Sequence, residues 1–328
     1  MTYLIIRLAT LGNVAMTVPV IASLSSRYPD DRFIIASKKK LGAMFASMPN
    51  VEFREVDNHI TWQGIVQLWR DWKKEIDHVI DLQDSPQTRL LDGLMRMSGT
   101  NVTRIQYGRF RKWMACFLGV KGELKSEFQR YQDTFLKAGL ETDDSFTAIP
   151  IDATAAMHIE QRYGKKEGQW IGIAPFAKYR SNMLPYRVTK EIIQRMSSQP
   201  NTRVFLFGAG EIECEMLRQW ASVFQHTESI AGRLQLSEEL ELMRQLDVMI
   251  CMDSANQHLS SLVNLRAVSV WCATHPIIGF KGWKQSEENI IQVNDLRCRP
   301  CTCHGTNYCK YGNFACRQIN AETIIKHI

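Results

Sequence analysis

Along the chain, short apolar runs alternate with longer stretches whose apolar residues recur at helical spacing. Tyr3-Leu-Ile-Ile-Arg-Leu8 is compact and apolar and predicts a buried strand. Small residues from Ala9 to Asn13 then make a turn, and Val14 to Tyr28 predicts a helix stopped by Pro29-Asp30-Asp31. Strands over Arg32–Ala36 and His78–Leu82 and a helix over Gln87–Met97 continue the series. After Pro150 the alternation starts again. Strands are predicted over Trp170–Ala174, Arg203–Phe207, Asp247–Cys251 and Ala267–Trp271, with helices over Val188–Ser197, over Glu211–Phe224 and after Asp253. Two such series predict an α/β protein of two doubly wound, mostly parallel sheets, divided between Thr142 and Thr154. Ligands of these sheets bind beyond the carboxyl ends of the strands, in a two-domain case within a central cleft.

Composition narrows the class. A chain of 328 residues suits two cores, and 45% hydrophobic with 23% charged residues excludes disordered and fibrous classes. The net charge of +6 fits an anionic substrate or a membrane surface and is too mild to imply nucleic acid, so no nucleic-acid partner is expected. The most apolar long stretch, Leu259 to Phe280, is broken by Arg266 and His275, so no membrane-spanning segment is expected. Met1 to Ile6 lacks the basic stretch that precedes a signal-peptide core. Nine cysteines in such a chain predict reduced thiols and a cytoplasmic location.

Five segments carry candidate chemistry. In Leu8-Ala-Thr-Leu-Gly-Asn-Val14, Gly12 permits a tight strand-to-helix turn whose free N–H groups suit an anion or a sugar hydroxyl; alternatively Asn13 only caps the helix. In Asp253-Ser-Ala-Asn-Gln-His258, small residues let backbone N–H groups approach a phosphate, Ser254 adds a hydroxyl, and His258 is either a ligand or structural. In Ala174-Pro-Phe-Ala-Lys-Tyr-Arg-Ser-Asn182, Lys178 and Arg180 suit a diphosphate or form a solvated basic loop. Cys298, Cys301, Cys309 and Cys316, with Cys303 and His304 in reserve, suit a tetrahedral structural zinc or are four loosely gathered thiols. Finally, Arg104 to Arg130 mixes Arg109, Arg111, Lys112, Lys121 and Lys125 with Trp113 and Phe117. That mixture suits an anionic lipid surface or a phosphorylated acceptor, or an ordinary amphipathic helix.

The order of these segments resembles glycosyltransferase family 9, the ADP-heptose:lipopolysaccharide heptosyltransferases. The resemblance rests on Arg7 to Val20, Asp81-Leu-Gln-Asp84, Ile173-Ala-Pro-Phe176, Ile230-Ala-Gly232, Asp253 to His258 and Ala273-Thr-His-Pro276. The cysteine tail, 298–316, looks like that of a bacteroidetes-type branch. The resemblance implies a GT-B fold and an inverting transfer of heptose, or a related sugar, from an ADP-sugar to the inner core of lipid A, with no metal needed for chemistry. It implies peripheral contact with the inner face of the inner membrane. It assigns residues 1–150 to the acceptor, with a C-terminal helix at 318–328 expected to pack back on them, and residues 151–317 to the nucleotide sugar. Donor-binding positions would be Lys178, Arg180, Asn182, Glu239, Asp253, Ser254, Ala255, His258 and Thr274. Acceptor-binding positions would be Thr10, Gly12, Arg109, Arg111 and Lys112.

The chain departs from this pattern at three positions. The general-base position, a carboxylate in the family, holds Asn13, whose amide cannot take a proton at neutral pH. Asn182 stands in place of a phosphate-binding lysine, and Ala255 in place of a glycine. Asp84, at another strand end, is the candidate surrogate base, or only orients the acceptor. A member that binds nucleotide sugar or glycan without efficient transfer is the alternative. A dinucleotide-dependent oxidoreductase is disfavoured, because Gly208-Ala-Gly210 lacks the third fingerprint glycine.

Overall fold

The computed structural model describes residues 1–57, 61–118 and 124–328. They form two compact units, one of residues 1–107 and 125–149, the other of 108–124 and 150–328.

In the first unit, five parallel strands run β3-β2-β1-β4-β5: β1 (Thr2–Ile6), β2 (Arg32–Lys38), β3 (Val51–Val56), β4 (His78–Asp81) and β5 (Asn101–Arg104). Leu4, Ile6, Ile34, Ala36 and Val79 fill the core on one face, under Ile65, Trp72, Leu91 and Met95 of the covering helices. The helix expected over Val14–Tyr28 is two helices, α1 (Leu11–Ala15) and α2 (Val18–Arg27). Pro19 lies in the first turn of α2 and has no N–H to continue the earlier helix, and the Thr17 hydroxyl turns back to the Val14 carbonyl at 2.7 Å. α3 (Trp62–Trp72), α4 (Pro86–Met97) and α6 (Glu127–Lys137) complete this unit; α5 (Arg109–Leu118) belongs to the second. A capping box of Ser85 and Thr88 starts α4.

The second unit has six parallel strands in the order β11-β10-β9-β6-β7-β8. They are β6 (Gln169–Ala174), β7 (Thr202–Leu206), β8 (Thr227–Ser229), β9 (Val248–Met252), β10 (Ala267–Trp271) and β11 (Ile290–Gln292). Its helices are α7 (Ala153–Tyr163), α8 (Tyr186–Ser197), α9 (Glu211–Val223), α10 (Leu236–Gln245), α11 (Ala255–Leu262) and α12 (Ala321–Ile325). Strands β6, β7, β9 and β10 are buried on both faces, hence their continuous apolar runs.

The C-terminal helix α12 packs on α8, with Ile319, Ala321 and Ile324 in the second unit's core, because those apolar side chains find their partners there. The basic segment at 109–112 is likewise part of the second unit and not of the first. Among the described residues no helix is long and apolar enough to cross a membrane.

Candidate functional site

Each sheet reverses its winding at one place, and the singled-out segments gather there. In the first unit the reversal lies between β1 and β4, so the turn after β1 and the Asp81–Asp84 segment after β4 flank one crevice. In the second it lies between β6 and β9, flanked by the 174–182 loop and the Asp253–His258 segment.

At the first crevice, Thr10 is the N-cap of α1 and Gly12 is buried within it. Asn13 donates weakly from Nδ2 to the Ala9 carbonyl at 3.4 Å and the Thr10 hydroxyl at 3.3 Å. Asp84 is nearly buried, at a left-handed backbone position (φ 50°), and its Oδ1 accepts from Arg89 Nε at 2.7 Å. Arg104 lies 3.8 Å from the same oxygen and binds Asp92 through Nε and Nη2 at 2.9 and 2.6 Å. The candidate surrogate base is thus engaged by a guanidinium. Burial, reinforced by the charge of Asp81, pushes the Asp92 carboxyl up to about 6. The sequence reading passed over the group that shapes this crevice: Gln83. Its Oε1 accepts from Arg7 Nη1 and from the Leu8 and Ala9 amides at 3.0 to 3.3 Å, fixing the turn after β1. Tyr131 supports the same turn by donating to the Asn13 carbonyl at 3.4 Å. Arg7 and Gln83 both lie inside family-like motifs, but nothing in their spacing marks them as partners.

At the second crevice, Ser254 occupies the N-cap of α11 in extended conformation but makes no capping hydrogen bond. Among the described residues its buried Oγ has no hydrogen-bond partner, and neither has the buried Nδ1 of His258 one turn on. Ala255 is the first residue of α11. Burial holds the His258 imidazole down at about 3, so the ring is neutral at neutral pH. Asp253 bridges two strand ends: Oδ2 accepts from the Thr274 hydroxyl at 2.6 Å and Oδ1 from Gln257 Nε2 at 3.0 Å. Burial raises its carboxyl to about 6 against those bonds. Glu239, in the first turn of α10, is pushed up to about 7, also by burial.

The basic loop and the cysteine tail are bound together. Asn182 is 3% exposed and donates from Nδ2 to the His304 carbonyl at 2.9 Å. Gly305, at φ +102°, lies so near that an added Cβ would come within 2.5 Å of Asn182 Oδ1. The backbone at Gly305 therefore closes directly over the Asn182 side chain. The Arg180 amide donates to Asn307 Oδ1 at 3.2 Å, and its guanidinium lies 5.6 Å from the centre of the Phe314 ring. Lys178 is exposed beside Tyr179. Arg299, another residue passed over among the cysteines, is buried and clamps the tail to β10 through the carbonyls of Trp271, Thr274 and Val293 and through Gln292 Oε1.

Cys298, Cys301, Cys309 and Cys316 all lie in this tail, and the first, second and fourth are near Arg299. Backbone N–H groups of residues 311–314 bring the Cys309 thiol below its ordinary value against some desolvation. Among the described residues, however, no three His, Cys, Asp or Glu side chains converge as metal ligands. The thiols expected to hold zinc are gathered but not drawn into a ligand set. Of the expected acceptor residues, Lys112 is buried with its ammonium 4.7 Å from the Phe280 ring centre, while Arg109 and Arg111 are exposed. Lys121 lies outside the described residues.

These two crevices on two doubly wound sheets can be set beside known proteins. A relative, the lipopolysaccharide core heptosyltransferase OpsX of Haemophilus influenzae, is 20% identical over 289 residues, covering 83% of this chain and 79% of that protein. Among solved structures, a family 9 glycosyltransferase from Veillonella parvula superposes with a TM-score of 0.76 at 16% identity, covering 99% of this chain and 95% of the other. The ADP-heptose lipopolysaccharide heptosyltransferase II of E. coli gives 0.72 at 15% identity, with 99% and 97% covered. Both show the same fold, which is GT-B. The model of glycosyltransferase family 9 (heptosyltransferase) matches residues 65–311, the greater part of the chain, and this protein belongs to that family.

Proposed function

We propose that the chain transfers heptose, or a closely related sugar, from an ADP-sugar to a lipopolysaccharide core acceptor. The observation that carries this reading is the pair of buried polar atoms, Ser254 Oγ and His258 Nδ1, that have no hydrogen-bond partner among the described residues, at the uncapped start of α11. Buried polar groups are almost always paired, so two unpaired ones at a strand-end helix N-terminus fit an anionic ligand. Thr274, held by Asp253, lines up the neighbouring strand end, and Glu239 offers a carboxyl for donor hydroxyls. A relative named for lipopolysaccharide core heptose transfer and a neighbour named for ADP-heptose support the choice of donor and acceptor. In this reading residues of the first unit hold the acceptor, Thr10 and Gly12 through the α1 turn. Asp84, engaged by Arg89, orients the acceptor hydroxyl.

Asn13 favours a second reading, a member that binds donor but transfers slowly, since general-base catalysis contributes roughly 10²–10⁴-fold. One experiment separates them: acceptor-dependent ADP release from ADP-heptose by the wild type and by Asn13→Asp. Turnover by the wild type, lowered by Asp84→Asn, supports transfer that depends on Asp84 and manages without a carboxylate at position 13. Silence from the wild type with activity from Asn13→Asp supports a site disarmed at one residue. Silence from both, with no ADP binding, removes the transferase reading.

A further inference from the structure

Helix α5 carries a row of aromatic rings that the proposed transfer does not use. Phe110, Trp113 and Phe117 are three and four residues apart and therefore share one face of the helix. They are 70%, 51% and 73% exposed. Phe110 and Trp113 stack with centroids 6.0 Å apart, and Trp113 and Phe117 at 5.2 Å, which makes a continuous ribbon. The opposite face is anchored. Ala115 is buried, Lys112 is buried with its ammonium against Phe280, and the Cys116 sulfur is 3.5 Å from that of Cys303 in the tail. The ribbon is thus held outward by a helix that is fixed to the second unit.

We infer that this ribbon is a docking surface for an anionic phospholipid bilayer. Charge selects the occupant. The helix exposes Arg109 and Arg111 and carries no acidic residue, within a chain of net charge +6. Aromatic side chains on one face with basic residues beside them make the pattern of a helix lying in a membrane interface, where rings enter the headgroup boundary and cations meet lipid phosphates. Three contiguous exposed rings are unusual on a water-facing surface. The inference rests on the transferase reading in one respect: a lipid-borne acceptor gives bilayer contact a purpose.

The test uses the full chain and flotation with vesicles of phosphatidylcholine, with and without phosphatidylglycerol. The comparison variant is Phe110→Ser/Trp113→Ser/Phe117→Ser, whose altered positions are exposed and leave the core intact. The wild type is expected to float with the anionic vesicles and much less with the neutral ones. The triple variant should lose binding by roughly tenfold or more while keeping its circular dichroism and melting temperature. Transfer to a deacylated, soluble acceptor should be equal in both proteins, and transfer to a vesicle-embedded acceptor should fall in the variant. Equal flotation of both proteins, or none by the wild type, overturns the inference. So does a wild-type oligomer that the variant converts to a monomer without any vesicle binding, which would assign the ribbon to a second copy of the chain. Ribbon-dependent flotation without transfer to any acceptor would leave the surface standing and remove the transferase reading instead.

Discussion

Ser254 sits where a helix cap belongs, yet its hydroxyl caps nothing and has no hydrogen-bond partner among the described residues. A hydroxyl that waits for a ligand contributes to binding and not to folding. Ser254→Ala is therefore expected to change stability by less than about 1 kcal/mol while weakening ADP binding roughly tenfold, because hydrogen bonds to charged groups are the strong ones. Thermal melts and titration calorimetry would check this; a large stability loss with unchanged ADP affinity would refute it. Glu239 gives a pH prediction. Burial raises its folded-state carboxyl to about 7, above the 4.5 of the unfolded chain. The folded state then holds a proton that the unfolded state releases, so the associated stability is full below pH 4.5 and is lost as pH rises through 7. Glu239→Gln should accordingly be close to neutral near pH 4 and stabilising above pH 7, by about 2 kcal/mol once the partial exposure of the side chain is allowed for. Denaturant melts at both ends of that range decide it, and a pH-independent effect would show that the carboxyl is not desolvated. Ser254 stands in the sequence within a motif, and Glu239 only as a position that the family resemblance implies. Which of them lacks a partner and which is desolvated depends on neighbours that no local pattern names.

At the scale of elements, most strands and helices were legible because their periods are strong. β10 spans Ala267–Trp271 as expected, and β6, α8 and α9 differ only at their ends. Short or edge strands such as β3, β5, β8 and β11 were not, since three to six partly exposed residues leave little apolar signal. The cysteine tail is the element that the sequence described least well. Its cysteines drew attention to metal, whereas its visible work is to cover the 180–183 loop: Thr306 and Ser181 exchange backbone and hydroxyl contacts, and Arg317 donates to the Met183 carbonyl. Gly305 permits that approach by having no Cβ and by adopting positive φ. Gly305→Ala should cost about 2–3 kcal/mol by backbone strain and by the clash with Asn182, and should loosen the loop that bears Lys178 and Arg180. A denaturant melt and limited proteolysis of the tail measure the two effects. An unchanged melt with an intact tail would mean that the contact carries no weight.

For the whole molecule, hydropathy alone determined two doubly wound α/β units, because alternating buried strands and amphipathic helices have few other ways to bury their faces. The motif order pointed to the family, and the chemistry of Asn13 determined that this residue is no general base, since an amide is no base whatever surrounds it. Tertiary structure decided the rest. It brought the turn after β1 beside the end of β4, and the loop after β6 beside the start of α11, because strand order is set by long-range pairing rather than by local pattern. It paired Asp84 with Arg89, moved α5 and α12 into the second unit, and left Ser254 and His258 unpaired. Each of these is fixed in the folded chain, some by contacts between residues far apart and the Asp84–Arg89 pair by the turn into α4, where burial and partner choice, not residue type, fix what a side chain can do.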